Sequence, residues 1–129
     1  MSYADNQDGT VTDTATGLMW QQATAPGKYT WHRALQYCEN LTLAGQSDWR
    51  LPNMRELQSI VNYGRVNPSI DPIFGAESGW YRSSSTYVSS PNFAWNVNFN
   101  VGIVCYDNLG YSFFVRAVRG QALAGKGEA

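Results

Sequence analysis

The spacing of apolar and polar positions changes several times along the chain. Near the N-terminal end, Asp8-Gly9 is a strong two-residue turn signal, followed by the alternation Val11, Asp13, Ala15 and then Gly17-Leu18-Met19-Trp20. Alternation around such a turn predicts a β-hairpin. From Thr30 to Leu41, the apolar residues Trp31, Ala34, Leu35, Cys38 and Leu41 recur at spacings of three and four. That is the period of an amphipathic helix, with Thr30 placed to cap it. A second helix is predicted after "DWRLPN". Asn53 and Glu56 have capping-box spacing, and Met54, Leu57, Ile60 and Val61 form its buried stripe, ending near Tyr63-Gly64. Between the helices, Trp49 and Leu51 are expected to plug the core, with Asp48 and Arg50 forming a local ion pair or backbone contacts.

Beyond the turn-rich "NPSIDPIFG" the period becomes two. In "FAWNVNFN", Phe93, Trp95, Val97 and Phe99 are expected to face inward, and Asn96, Asn98 and Asn100 outward. Gly102 interrupts the pattern, "DNLG" supplies a turn, and a last strand, "SFFVRAVRG", carries Arg116 and Arg119 at its end. An N-terminal hairpin, two helices, a long loop and a C-terminal antiparallel sheet make an α+β pattern. The length of 129 residues suits one domain, taken as residues 1–120, with 121–129 expected to form a frayed tail.

Composition narrows the function. Nine Lys and Arg against ten Asp and Glu give a net charge of −1, so no electrostatic footprint for nucleic acid or anionic membrane is present. No secretory leader is expected in the chain as given, and its apolar runs fall far short of the roughly 20 residues of a membrane span. Aromatics reach 14%, including eight Tyr and five Trp. That excess suits a binding surface as well as it suits an aromatic core. Cys38 and Cys105 do not make a disulfide framework, and whether they pair stays open.

Candidate chemistry is sparse. The single His32 precedes Cys38 by six residues, about 240° of net rotation on a helix, so the two do not form a dyad. Zinc needs four convergent ligands, more than the chain supplies. An EF-hand register starting at Asp5 puts Gln7 and Gly9 at ligand positions, which fails. Gly17, Gly27 and Gly45 sit in no phosphate-binding loop. The carboxylate pairs Asp5/Asp8 and Glu39/Glu56 carry no sign of a shared cleft. No enzyme activity, metal or cofactor is expected.

The segments "DNQDGTVTDTATGLMWQQ", "WxxALxYCENL", "LAGQSDWRLPNMRELQSIV", "PxIDPIF", "YRSSS", "AWNVNF" and "VRAVRG" occur in the order of one known family. Over about residues 5–120 the chain resembles the Lcl C-terminal domain family, named for a bacterial collagen-like adhesin. The resemblance implies a C-type-lectin-like fold of the variant seen in formylglycine-generating-enzyme-like proteins. It also implies a surface or extracellular binding module; the adhesin member recognises sulphated glycosaminoglycans. Three departures matter. Family members commonly carry Cys in the last strand, "VRCVR", which looks like the partner of the helix cysteine; here that position is Ala117. The dedicated cysteine pair of the oxidase relatives has no matching motif, and the basic patch that a sulphated glycan needs is missing.

Residues 83–115 contain no Lys, Arg, His, Glu, Gln or Met, and Asp107 is their only charge. Exposed surface normally carries charge at a quarter or more of its positions. The chain also resembles the targets of diversity-generating retroelements, C-type-lectin-like proteins whose C-terminal codons are randomised at adenines. Randomising an AAY codon to NNY yields Asn, Tyr, Ser, Phe, Cys, Asp, Leu, Val, Ile and Gly but never Lys, Glu, Gln, Met or Trp. The leading reading is therefore a diversified, non-enzymatic variable protein that binds a protein or cell-surface ligand. The alternative is a glycan-binding adhesin module; a formylglycine-generating-type oxidase ranks third. The expected ligand contacts are Asn98, Asn100, Val101, Ile103, Tyr106, Asp107, Asn108, Leu109, Tyr111 and Phe113. Trp95, Val97, Phe99 and Val115 are expected to be scaffold, with Phe114 assignable to either group. Oligomeric state and compartment stay open; a cell-surface or secreted location would follow from an adhesin role.

Overall fold

A computed structural model of the chain describes residues 2–123. Its elements run β1 (Tyr3–Asp5), β2 (Thr10–Asp13), β3 (Met19–Gln21), α1 (Trp31–Glu39), α2 (Met54–Ser59), β4 (Trp80–Tyr87), β5 (Ser90–Asn98), β6 (Ile103–Asn108) and β7 (Val118–Arg119). They form two antiparallel sheets, ordered β1-β2-β3-β7 and β4-β5-β6. The α+β pattern read from the sequence is the observed one, including the N-terminal hairpin at Asp8-Gly9. The C-terminal strands do not form one sheet, because β7 crosses over to pair with β3.

Both helices start where the pattern places them. Asn53 Oδ1 accepts from the Glu56 amide at 2.8 Å, and Glu56 Oε1 accepts from the Asn53 amide at 2.9 Å. Such a box contributes about 1 kcal/mol. The α1 start differs: Thr30 has extended backbone, but its side chain makes no capping bond. Instead the Trp31 amide, an orphan donor of the first turn, donates to the Leu109 carbonyl at 3.0 Å. A tertiary contact does the work of a cap. Helix α2 ends at Ser59, not near Tyr63-Gly64. The Asn62 amide there turns to the Ser69 carbonyl at 2.8 Å, while Ile60 and Val61 stay buried.

Trp49 and Leu51 are core residues, as expected. Asp48 and Arg50 do not pair with one another. Arg50 forms a two-bonded ion pair with Glu56 at 2.6 and 2.7 Å, and Asp48 pairs with Arg119 at 2.6 and 3.1 Å. The backbone of Arg50 does bridge Val118, with both bonds at 2.9 Å.

"SFFVRAVRG" is mostly an extended connector and not a strand. Only Val118 and Arg119 join a sheet, while Phe113 and Phe114 make isolated bridges to Tyr29 and Tyr81. Arg116 does not sit at an open end. It is fully buried, donating to the carbonyls of Gln21, Gln22 and Gly75 and to the Thr24 hydroxyl. Its guanidinium lies 5.0 Å from the Phe74 ring centre. The connector thus ties the N-terminal sheet to the loop before β4.

The core has two parts. Leu57, Ile60 and Val61 around α2 pack with Trp20, Tyr81, Val97 and Phe99. Ala34 and Cys38 of α1 pack with Trp49, Leu51, Val115 and Ala117. Both cysteines are free, Cys38 buried and Cys105 exposed. Of the expected tail, Leu123 is docked: its amide donates to Glu56 Oε2 at 3.0 Å and its carbonyl accepts from Asn53 Nδ2 at 2.8 Å. Residues 124–129 lie outside the described residues.

Candidate functional site

The chargeless stretch builds β5, β6 and the loop to Phe113, and one strand alternation serves three environments. Val97 and Phe99 are buried under α2, as predicted. Trp95 and Phe93, on the same strand face, are only half-buried. The reason is length. Nine residues of β5 extend about 30 Å, whereas the six residues of α2 rise about 9 Å. Half the strand face projects past the helix that should cover it.

On that uncovered face Tyr87 stacks flat on Tyr106, with centroids 4.1 Å apart and planes 10° apart. Trp95 meets both edge-on at 5.4 Å, and Phe93 lies 5.8 Å from Tyr106. Tyr106 is 39% exposed and Val88, at the hairpin tip, is 80% exposed. The Tyr87 hydroxyl beside it holds the Tyr106 phenol above its ordinary pKa. The result is an aromatic platform near the β4–β5 hairpin, whose tip carries Ser89 and Ser90.

The opposite face of β5 was expected to be open. Asn96 is instead fully buried, because the chain after β6 and the start of α1 cover it. Its cross-strand neighbour Arg82 points the same way and is also fully buried. Asn96 Nδ2 donates to Asp107 Oδ2 at 3.1 Å. Burial pulls the Arg82 guanidinium down to about 10, with the Asp107 charge opposing that shift.

The ten candidate contacts therefore fall into two groups. Asn98, Asn100, Val101 and Ile103 lie at the β5–β6 turn, where Val101 and Ile103 are exposed and the two Asn are half-buried. The Asn100 carbonyl accepts from the Asn67 amide at 2.8 Å and the Ser69 hydroxyl at 3.0 Å, so its backbone is structural. Tyr106, Asp107, Asn108, Leu109, Tyr111 and Phe113 lie toward and beyond the other end of β6, with Tyr106 about 10 Å and Asn108 about 17 Å from Ile103 by strand rise. Tyr111 is 58% exposed, Leu109 and Phe113 are half-buried, and Phe113 shields Arg82 at 4.8 Å.

Sequence reasoning missed Tyr87, Phe93 and Trp95 as surface, Tyr63 beside the β5–β6 turn, and Arg82 beneath the loop. Comparing strand length with helix length would have found the first three. A groove of about 610 Å³ between α1, residues 50–53 and β4, lined by Leu35, Glu39, Leu51, Ser84, Thr86 and Val88, includes none of the ten. Among the described residues no three His, Cys, Asp or Glu side chains converge, and no helix is long and apolar enough to cross a membrane.

The described residues thus form a small α+β domain with a partly open aromatic sheet face. Its family follows from the sequence: the family model described as Lcl C-terminal domain matches residues 9–119, and the chain belongs to that family. Membership suggests an adhesin-like domain. No curated protein matches the chain.

Proposed function

We propose that this chain is a non-enzymatic ligand-binding domain of C-type-lectin-like fold. Its ligand, a protein or cell-surface molecule, meets Tyr106 on β6 and Tyr111 in the loop that follows β6. The observation that carries the reading is the Tyr87–Tyr106 stack with Trp95, a rigid aromatic surface flanked by Ser and Asn and lacking exposed charge. Tyr and Trp supply contact area at low entropy cost, and small polar residues supply adaptable hydrogen bonds. Return of the C-terminal β7 to the N-terminal sheet, closing the chain on itself, supports the lectin-like reading of the fold.

The missing residue types of 83–115 support a diversified variable protein as its particular role. Sequencing the flanking DNA tests this directly. A near-copy of the 3′ end, with adenines at the differing positions and a neighbouring reverse-transcriptase gene, is the expected result. Flanking DNA without such a copy removes the diversified role and leaves an ordinary adhesin module.

Family membership favours a second reading, a glycan-binding adhesin. A glycan array and a heparin column separate the two: selective glycan binding that Tyr106→Ala abolishes favours the second, and silence on both counts against it. An oxidase role would require copper-dependent oxidation of a thiol peptide that is lost in Cys105→Ser.

A further inference from the structure

Arg82 is fully buried, yet its guanidinium is hydrogen-bonded to no carboxylate among the described residues. Its Nη2 donates to the main-chain carbonyls of Asn108 and Leu109, both at 3.1 Å, and of Tyr111. Three acceptors within four residues converge on one nitrogen. The remaining donors, Nε and Nη1, are buried without a protein partner, as is Asn96 Oδ1 beside them. A core that needed only packing would not place an arginine here, because leaving such groups unmade is costly.

The other ties on this loop follow the same rule. The Trp31 amide donates to the Leu109 carbonyl at 3.0 Å, and the Leu109 amide to the Asn92 carbonyl at 3.0 Å. Tyr29 and Phe113 exchange amide-to-carbonyl bonds at 2.8 and 2.9 Å, and the Tyr111 amide donates to the Asn108 carbonyl at 3.1 Å. All of these bonds use loop main-chain atoms, which every residue type except proline possesses in full. The Tyr106 and Tyr111 side chains meanwhile point into solvent.

We propose that Arg82 is the positioning residue of a recognition loop, residues 108–113, whose shape is set through its main chain while its side chains are left free to set ligand specificity. The purpose of the loop rests on the ligand-binding reading above; the clamp does not. Beside it, Asn96 of β5 and Asp107 of β6 bond to one another at 3.1 Å. One arginine outside the chargeless stretch holds the end of that stretch in place.

Amide hydrogen exchange, read without any ligand, tests the clamp. In Arg82→Met, which keeps the length and apolar packing but removes the donors, amides of residues 109–113 are expected to exchange at least tenfold faster. Those of β2 and β3 should be unchanged. Arg82→Lys restores most of the protection, since an ammonium offers three donors to the same carbonyls. The double substitution Tyr106→Ser/Tyr111→Ser leaves protection within twofold of the parent. The proposal is overturned if Arg82→Met leaves the loop protected, if Lys behaves as Met does, or if the double variant loosens the loop as much as Met. Should Arg82→Met fail to fold, Arg82→Gln, too short to reach the loop carbonyls, decides: protection lost mainly at 109–113 supports the clamp, and no loss, or loss spread evenly over β2, β3 and the loop, overturns it. A chain that binds nothing through Tyr106 or Tyr111 would remove the ligand-binding reading and leave this result standing.

Discussion

Glu56 joins more of the molecule than any other carboxylate described, and removing it gives a worked prediction. Its side chain is fully buried, and four bonds converge on it: two from Arg50 at 2.6 and 2.7 Å, one from the Asn53 amide at 2.9 Å and one from the Leu123 amide at 3.0 Å. Burial alone would raise its pKa. The Arg50 hydrogen bonds, the two amides and the Arg50 charge outweigh burial and hold the carboxyl below its ordinary value. Glu56→Ala strips a capping box, worth about 1 kcal/mol, and breaks a buried pair, which typically costs about 3–5 kcal/mol. Arg50 keeps 31% of its side chain in water and rehydrates, so the lower part of that range applies. A total near 4 kcal/mol is expected. With an unfolding entropy of about 2.1 cal/mol/K per residue, that lowers Tm by about 15 °C. Glu56→Gln should cost about half as much, and it isolates the charge. Because the folded pKa lies below the unfolded one, the stabilisation is complete above the unfolded value, near 4.5. It is lost as pH falls through the folded value. Urea melts of parent and Gln variant between pH 6 and pH 3 should therefore converge on acidification. An Ala variant costing under about 1 kcal/mol, or a Gln variant as acid-sensitive as the parent, would refute the reasoning.

Three further outcomes follow from local geometry. Cys38 is fully buried and burial pushes its thiol up to about 12, whereas Cys105 is exposed; a thiol reagent at neutral pH should titrate one cysteine in the native chain and two after unfolding without reductant, and zero after unfolding would mean a disulfide. Cys38 and Ala117 share one core cluster, so Ala117→Cys is expected to pair with Cys38 on oxidation and to stabilise by at most about 4 kcal/mol; two reactive thiols besides Cys105 after oxidation and unfolding would show that the positions do not meet. Gly102 has φ +84°, and a Cβ there would lie 2.7 Å from Val61 Cγ1; Gly102→Ala should cost about 2–4 kcal/mol from the left-handed backbone and the overpacking together, and a loss under about 0.5 kcal/mol in denaturant melts would contradict this.

Local signals were legible in the sequence and distant ones were not. The Asn53–Glu56 box, the three-and-four spacing of Ala34 and Cys38, and the Asp8-Gly9 turn involve residues close in the chain, where propensity and spacing decide. The partners of Asp48 and Arg50 were misjudged because a carboxylate takes the cation that folding delivers, and Arg119 reaches Asp48 from 71 positions away. Arg116 read as a strand-end charge. No pattern within "SFFVRAVRG" announces that four acceptors from Gln21, Gln22, Thr24 and Gly75 will surround it. At the candidate site, alternation placed Val97 and Phe99 on the inward face that the structure buries. Alternation does not say what covers a face: the predicted inward set lost Trp95 to the surface, and the predicted outward set lost Asn96 to the interior.

That distinction bears on the class of ligand. Arg82, the one cation in the three strands β4, β5 and β6, is sealed: no part of it reaches solvent, and Phe113 lies across its guanidinium. A sulphate or carboxylate approaching Tyr106 would meet no positive charge from this sheet, and it would shed its hydration for nothing in return. An uncharged ligand face has no such cost; it gains ring contact from Tyr87, Tyr106 and Trp95 and hydrogen bonds from the neighbouring Ser and Asn. The buried charge that shapes the loop is thus unavailable to select the ligand. Under the proposed ligand-binding role, specificity would come from apolar shape and neutral hydrogen bonding, the two properties that exchanges among Tyr, Ser, Asn, Phe and Gly can alter while the main chain stays where the proposed Arg82 clamp holds it.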